Sequence, residues 1–73
     1  MGGFGYLLFD NSSLAIRAEK LLRRAGLAAR LAPAPREFSA NCGLAVRCAA
    51  DALESARAHL AVAGVQIAAY HRV

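Results

Sequence analysis

The sequence repeats itself at a constant offset of 38 residues, and this repeat limits the folds that the chain can adopt. Gly26 and Gly64 each end a stretch of helical periodicity and occupy equivalent positions in the two halves. The other matching pairs are Gly5 with Gly43, Ala18 with Ala56, Leu22 with Leu60, Ala25 with Ala63, and the expected helix caps Ser13 with Asp51. Two strand–helix–strand halves of this size are typical of the ferredoxin-like βαββαβ arrangement.

Each half contains the pattern of two strands around one helix. Residues 4–9 predict a buried strand, and a second strand is predicted over residues 27–31, a third over residues 43–48 and a fourth over residues 65–69. The first helix is amphipathic, and its apolar residues are Leu14, Ala18, Leu21, Leu22 and Ala25. The second helix carries Leu53, Ala56, Leu60 and Ala63, and the spacing of Asp51 and Glu54 predicts a capping box at its start.

These elements predict a single ferredoxin-like α+β domain over residues 1–73. Two helices cover one face of a four-stranded antiparallel sheet in the order 4-1-3-2. The helix-free face is predicted to present small and apolar residues beside two arginines: Ala28, Ala45, Ala68, Leu7 and Phe9, with Arg30 and Arg47. Because small monomers seldom leave such a face exposed to water, we expect a homodimer.

The composition indicates a soluble protein of a reducing compartment. The chain has only two cysteines, too few for a disulfide framework. It shows no secretory signal pattern and no apolar run of the roughly 20 residues that cross a membrane. We therefore expect a cytoplasmic protein with free thiols and no membrane association.

The formal net charge is +4, and basic residues cluster on the first predicted helix. Arg17, Lys20, Arg23 and Arg24 lie close together there. A solvated helix face, in which Glu19 pairs with Arg23 at i,i+4, accounts for this cluster. A docking surface for an acidic partner is the alternative interpretation.

The proline loop, residues 33–43, holds the strongest candidate for a functional residue. Its two prolines oppose regular structure, and it ends in Cys42 followed by Gly43. The predicted topology places Cys42 at the same end of the sheet as the N-terminus of the first helix. That N-terminus and Arg36 could both stabilise a thiolate, and Ser39 and Asn41 could hydrogen-bond to it. The alternative is a cysteine that serves only as a small buried hydrophobe at the start of a strand.

The second cysteine, Cys48, is predicted to be structural. A continuous third strand would separate it from Cys42 by about 20 Å, and a disulfide needs Cα atoms within about 7 Å. His59 and His71 form no metal-binding spacing with either cysteine, and no phosphate-binding glycine loop is present. We therefore expect no metal and no cofactor.

Two other classes of protein with this topology fit less well. RNA-recognition modules stack bases on aromatic residues of their central strands, and the third strand here, Gly-Leu-Ala-Val-Arg-Cys, has none. We therefore expect no nucleic-acid binding. Single-sheet metallochaperones place two cysteines after the first strand, where this chain has Asp10-Asn11-Ser12-Ser13.

Several segments resemble the selenium/sulfur carrier protein-like family of small domains. They are Arg17-Ala18-Glu19-Lys20-Leu21-Leu22, Ala25-Gly26, Pro35-Arg36-Glu37-Phe38-Ser39 and Cys42-Gly43-Leu44-Ala45-Val46-Arg47. The similarity covers about residues 6–70, and its specific part is the stretch from Pro-Arg-Glu to Cys-Gly. Arg36, Ser39, Cys42 and Gly43 match the family's motif, whereas Asn41 and Cys48 depart from its pattern.

The resemblance implies that Cys42 carries sulfur or selenium as a persulfide or selenopersulfide. The protein would then be a carrier rather than an enzyme. A cysteine desulfurase-like donor would load it, and an acceptor protein would receive the chalcogen. The alternative function is a regulatory or ligand-binding module in which Cys42 is structural.

Overall fold

The computed structural model describes residues 3–38 and 43–73, and of Arg36 only the backbone. Six main elements follow one another along the chain: β1 (Phe4–Leu8), α1 (Ser12–Arg24), β2 (Arg30–Pro33), β3 (Leu44–Ala49), α2 (Leu53–Ala63) and β4 (Ala69–Arg72). Short 3-10 helices span Arg36–Phe38 and Ala50–Ala52. The four strands form one antiparallel sheet in the order β2-β3-β1-β4. This is the predicted order 4-1-3-2 read from the other edge, so the ferredoxin-like α+β prediction is confirmed.

One face of the sheet packs against both helices and forms the core. Leu7 lies opposite Val46 and Gly5 lies opposite Cys48, so these four residues share a face. A Cβ on Gly5 would come within 2.9 Å of Cδ1 of Leu53 in α2. Gly5 therefore allows α2 to approach the sheet closely.

The prediction that Leu7 and Phe9 lie on the helix-free face is wrong. Both side chains are buried in the core cluster that the helices complete. The register gives the reason, because Leu8 is the residue of β1 that lies opposite Ala45. Successive side chains of a strand point to opposite faces, so Leu7 and Phe9 must face the helices.

The other side of the sheet, which we call the open face, carries Tyr6, Leu8, Ala45, Arg30 and Arg47. The predicted positions of Ala45 and of both arginines on this face are confirmed. Ala28 and Ala68 lie outside the strands, in exposed positions before β2 and β4. Leu8 and Ala45 are only 3% and 0% exposed although they lie outside the helix-side core. The chain therefore covers part of its own open face.

Both helices end in the same way, as the repeat predicts. Gly26 has φ 89° and Gly64 has φ 77°, in the left-handed region that glycine adopts without strain. Next to each glycine, an N–H group reaches back to the carbonyl five residues earlier, from Leu27 to Leu22 at 3.0 Å and from Val65 to Leu60 at 2.9 Å. These are Schellman motifs, and they satisfy carbonyl groups that the helix itself leaves unpaired.

The helices begin differently, and both predicted caps are wrong. The cap of α1 is Asn11, whose Oδ1 accepts a hydrogen bond from the Leu14 N–H at 2.9 Å. Asn11 has the extended backbone that a cap requires, whereas Ser13 already lies within the helix. Asp51 lies within the 3-10 helix that leads into α2, which has no side-chain cap, so the capping box with Glu54 does not form.

Candidate functional site

Two described residues hold the base of the proline loop. The N–H of Ala34 donates a hydrogen bond to the carbonyl oxygen of Gly43 at 3.0 Å. This bond continues the ladder between β2 and β3, whose last pair is Pro33 with Leu44. Gly43 is exposed, and its φ of 69° suits glycine. This backbone hydrogen bond therefore joins the two points at which the loop leaves and rejoins the sheet.

Four of the five predicted site residues cannot be located in full. Cys42, Ser39 and Asn41 lie outside the described residues, and for Arg36 only the backbone is described. Their proposed roles stay predictions. Gly43, which directly follows Cys42 in the sequence, lies just before β3.

An aromatic contact brings the loop onto the open face. The ring of Phe38 stacks on the imidazole of His71, with ring centroids 4.0 Å apart and planes inclined by 8°. The same ring meets the edge of Tyr6 at 5.7 Å. Tyr6 belongs to β1 and His71 to β4, whereas the loop departs from β2 at the opposite edge of the sheet. Residues 34–38, which we call the crossing segment, therefore pass over the open face.

The stretch that contains Cys42 runs in sequence between two residues with described contacts, Phe38 and Gly43. Phe38 is held over β1 and β4, and Gly43 is held beside Ala34. Sequence reasoning missed Phe38, Tyr6 and His71 as supporting residues of the site. The available signal was that Phe38 is the single aromatic residue in an otherwise small and polar loop.

The start of α1 lies at the same end of the sheet as Gly43. Leu8, the last residue of β1, pairs with Ala45, so both Gly43 and the turn into α1 lie beyond this row. The first turn of α1 contains no acidic residue. Helix N-termini carry a partial positive charge that stabilises anions, thiolates included. The N-terminus of α1 therefore lies at this end of the sheet, and Asp10 directly precedes its cap Asn11.

Cys48 occupies a different environment. It is a free thiol, 3% exposed, within the helix-side core. Burial raises the pKa of the Cys48 thiol, and the negative charge of Asp51 raises that pKa further. A buried, protonated thiol is a poor nucleophile. The prediction that Cys48 is structural is supported, and β3 runs without interruption from Leu44 to Ala49, as the argument against a disulfide required.

The basic cluster of α1 is exposed, as both interpretations of it require. Arg23 approaches Glu19 at 3.7 Å on α1, as the i,i+4 spacing predicted. On α2, Arg57 pairs with Glu54 at 3.0 Å, and its guanidinium lies 3.9 Å from the centre of the Tyr70 ring. In the part of the chain that the structure describes, no cluster of His, Cys, Asp or Glu could hold a metal ion, and no helix is long and apolar enough to span a membrane.

The architecture and the site together define a small ferredoxin-like domain with a cysteine loop that is anchored at both ends. A family model described as "Putative Se/S carrier protein-like" matches residues 4–72. The chain belongs to this family, and the resemblance noted from its motifs is confirmed. Neither the comparison with curated proteins nor that with solved structures gave a match.

Proposed function

We propose that this protein carries sulfur or selenium on the thiol of Cys42 and passes it to an acceptor. The observation that carries the proposal is membership of the carrier-like family over residues 4–72. The burial of Cys48 supports it, because the chain has only two cysteines and this one is unsuited to exchange. The protein acts as a carrier between partner enzymes and does not itself generate the chalcogen.

The chemistry is thiol–persulfide exchange. The Cys42 thiolate attacks the terminal sulfur of a persulfide on the donor, so a new S–S bond forms and the donor's own S–S bond breaks. The donor leaves as a thiolate, and Cys42 becomes a persulfide. An acceptor thiolate then attacks that terminal sulfur and releases the Cys42 thiolate, with no net oxidation in either step. Selenium follows the same course as a selenopersulfide.

One feature of the described residues supports this proposal. The attacking group must be a thiolate, which a nearby positive potential favours. The N-terminus of α1 lies at this end without an acidic residue in its first turn. Ser39, Asn41 and Arg36 are proposed as the neighbours that hydrogen-bond the sulfur or balance its charge.

The donor is proposed to be a cysteine desulfurase-like protein, the acceptor a second protein, and the compartment the cytoplasm. A homodimer also stays a prediction, although Leu8 and Ala45 are already covered on the face that was expected to form it. Among the described residues, Val62, Val73 and Phe4 are the most exposed of the large apolar side chains. Light scattering at high protein concentration tests the dimer, and a monomer throughout would contradict it.

Intact-mass measurement tests the proposed function directly. The protein is incubated with a cysteine desulfurase and cysteine, and its mass is measured without reductant. We expect a stoichiometric one-sulfur adduct on the wild type and on Cys48→Ser, and none on Cys42→Ser. If no adduct forms, or if it persists in Cys42→Ser, Cys42 is not a carrier thiol and the regulatory or ligand-binding alternative is favoured.

A further inference from the structure

A row of four polar or charged side chains crosses the open face, one from each strand. Arg30 of β2 lies opposite Arg47 of β3, Arg47 lies opposite Tyr6 of β1, and Tyr6 lies opposite His71 of β4. Residues that face each other across antiparallel strands point to the same side of the sheet, with Cβ atoms about 5 Å apart. Two arginines are therefore direct neighbours in this row.

Neither arginine takes part in an ion pair with a carboxylate of the described residues. Like charges directly opposite each other in a sheet are unfavourable. The described strand residues on the open face include no Asp or Glu. The ion pairs found in the described parts of the chain join Glu19 to Arg23 and Glu54 to Arg57, and all four residues lie on the helices. Glu37, on the crossing segment, forms an ion pair with neither arginine.

One of the two arginines is held in place by the protein. The guanidinium of Arg47 lies over the ring of Phe4, with Cζ 4.7 Å from the ring centre, and the residue is half-buried. Such a cation–π contact orients the planar group and leaves its N–H donors free to bind. Tyr6, the next residue in the row, is also half-buried and is packed against Phe38. Arg30 is exposed.

We propose that the open face binds a small divalent oxyanion, of the phosphate or sulfate class, between Arg30 and Arg47. Guanidinium groups bind such anions through two parallel N–H···O bonds, and these charge-assisted bonds are the strongest that side chains form. An oxyanion that contacts both guanidinium groups would offset the two like charges. The site does not use Cys42, so it stands independently of the proposed carrier function.

A titration followed by amide NMR tests this site. Wild-type protein is titrated with sodium sulfate and separately with sodium phosphate, while sodium chloride keeps the ionic strength constant. Neither anion reacts with thiols. We expect saturable shifts that centre on the amides of Arg30, Arg47 and Tyr6. No saturable shift, or shifts centred on α1, would overturn the proposal.

Matched variants separate this site from general attraction by a basic protein. Arg30 is exposed, and its side chain forms no ion pair or ring contact in the described structure. Arg30→Gln should therefore fold normally and bind sulfate about tenfold more weakly, the value of one charged hydrogen bond. Arg47→Lys keeps the charge but loses the planar fork, and should also weaken binding. Arg24→Gln on α1 removes the same charge elsewhere and should bind as the wild type does. Equal losses in Arg30→Gln and Arg24→Gln would show non-specific binding only.

A last arm of the experiment distinguishes the source of the anion. A single-stranded RNA ten-mer presents phosphate esters in place of a free oxyanion. We expect free sulfate or phosphate to shift the same amides without RNA present. If the RNA binds and the free anions do not, the small-oxyanion site is refuted and a nucleic-acid surface replaces it.

Discussion

The two ends of the sheet have a similar architecture but differ in the charged residues beside the helix N-termini. At one end α1 begins beside the row that leads to Gly43, with a neutral cap, Asn11, and no acidic residue in its first turn. At the other end α2 begins close to Cys48, with Asp51 and Glu54 at its start. Both helix N-termini carry the same partial positive charge. Asp51 and Glu54 lie at the start of α2, whereas a single acidic residue, Asp10, directly precedes the cap of α1, so the two N-termini differ in the charges around them.

The rest of the two halves is alike, which makes the comparison sharper. Gly26 and Gly64 end their helices with the same pair of backbone hydrogen bonds. Leu22 and Leu60 occupy matching buried positions before those glycines. The halves therefore differ clearly at the starts of their helices.

The largest effect that we expect is a difference in thiol reactivity. A thiol probe near neutral pH should label Cys42 faster than Cys48 by more than about an order of magnitude, because Cys48 is buried and its thiol pKa is raised. Peptide mapping after timed labelling measures both rates. Cys42→Ser should remove the fast phase, and Cys48→Ser should retain it. Equal rates, or faster labelling of Cys48, would refute the assignment of the carrier thiol.

The next effect concerns the stability of the core around Cys48. Cys48→Ser should lower the free energy of unfolding by about 1–3 kcal/mol, because a hydroxyl replaces a thiol in an apolar core. Urea denaturation followed by circular dichroism measures the change. Cys42→Ser is the matched control, and we expect it to be close to the wild type. A Cys48→Ser protein as stable as Cys42→Ser would mean that the core tolerates polarity at this position.

The anchor of the loop should contribute a similar or smaller amount. Phe38→Ala removes the ring contacts with His71 and Tyr6 and should cost about 0.5–1.5 kcal/mol for each aromatic pair lost. It should also slow sulfur loading of Cys42, since one end of that stretch is released. Phe4→Ala, at another aromatic residue of the open face, is the control for loading. If both variants load at the same rate, Phe38 does not position the loop.

The caps provide a test of how the two helices begin. Asn11→Ala should cost about 1 kcal/mol, because the Leu14 N–H loses its acceptor. Asp51→Ala should cost less, since α2 has no side-chain cap to lose. Thermal unfolding of both variants measures the difference. Equal losses would indicate that Asp51 stabilises α2 in some way other than capping.

The smallest effect is a dependence of stability on pH. Folding raises the pKa of the Cys48 thiol, so the folded state keeps its proton at pH values where the unfolded chain has lost it. At pH values below 9.0, the ordinary pKa of this thiol, its contribution to stability is complete. The contribution falls as the pH rises from 9.0 towards the raised pKa of the thiol in the folded protein. The loss is at most about 1.4 kcal/mol per pH unit. As the pH rises through this range, the wild type should lose stability relative to Cys48→Ala. Parallel curves of unfolding free energy against pH would contradict the raised pKa of Cys48.

The order of the strands could be predicted from the sequence, but their limits could not. Two of the strands begin later than predicted, β2 at Arg30 and β4 at Ala69. The cause is the same in both halves, because Leu27 and Val65 complete the Schellman motifs that follow the helices. They are apolar because they pack against the core, and the alternating pattern includes them although they precede the strands.

The assignment of Cys42 stays a prediction, whereas the contacts around the described part of the loop could not be predicted. The residue type, the glycine that follows and the family motif all indicated Cys42. The contact of Phe38 with Tyr6 and His71 joins residues that are far apart in the sequence, and no local pattern encodes it. The covering of Leu8 and Ala45 was missed together with it, and the open face was therefore expected to be free for a second subunit.

Because the contacts of Phe38 and Gly43 hold the loop at two points, the number of residues between them can change without a change in how the loop is attached to the sheet. Residues inserted between these two points would lengthen the tether without moving either anchor or any strand. Doubling the length of a flexible tether costs only about 0.6 kcal/mol of closure entropy. For the proposed carrier thiol, Cys42, such insertions would change its distance from the sheet in small steps, while the strands, the core and the buried Cys48 would stay unchanged.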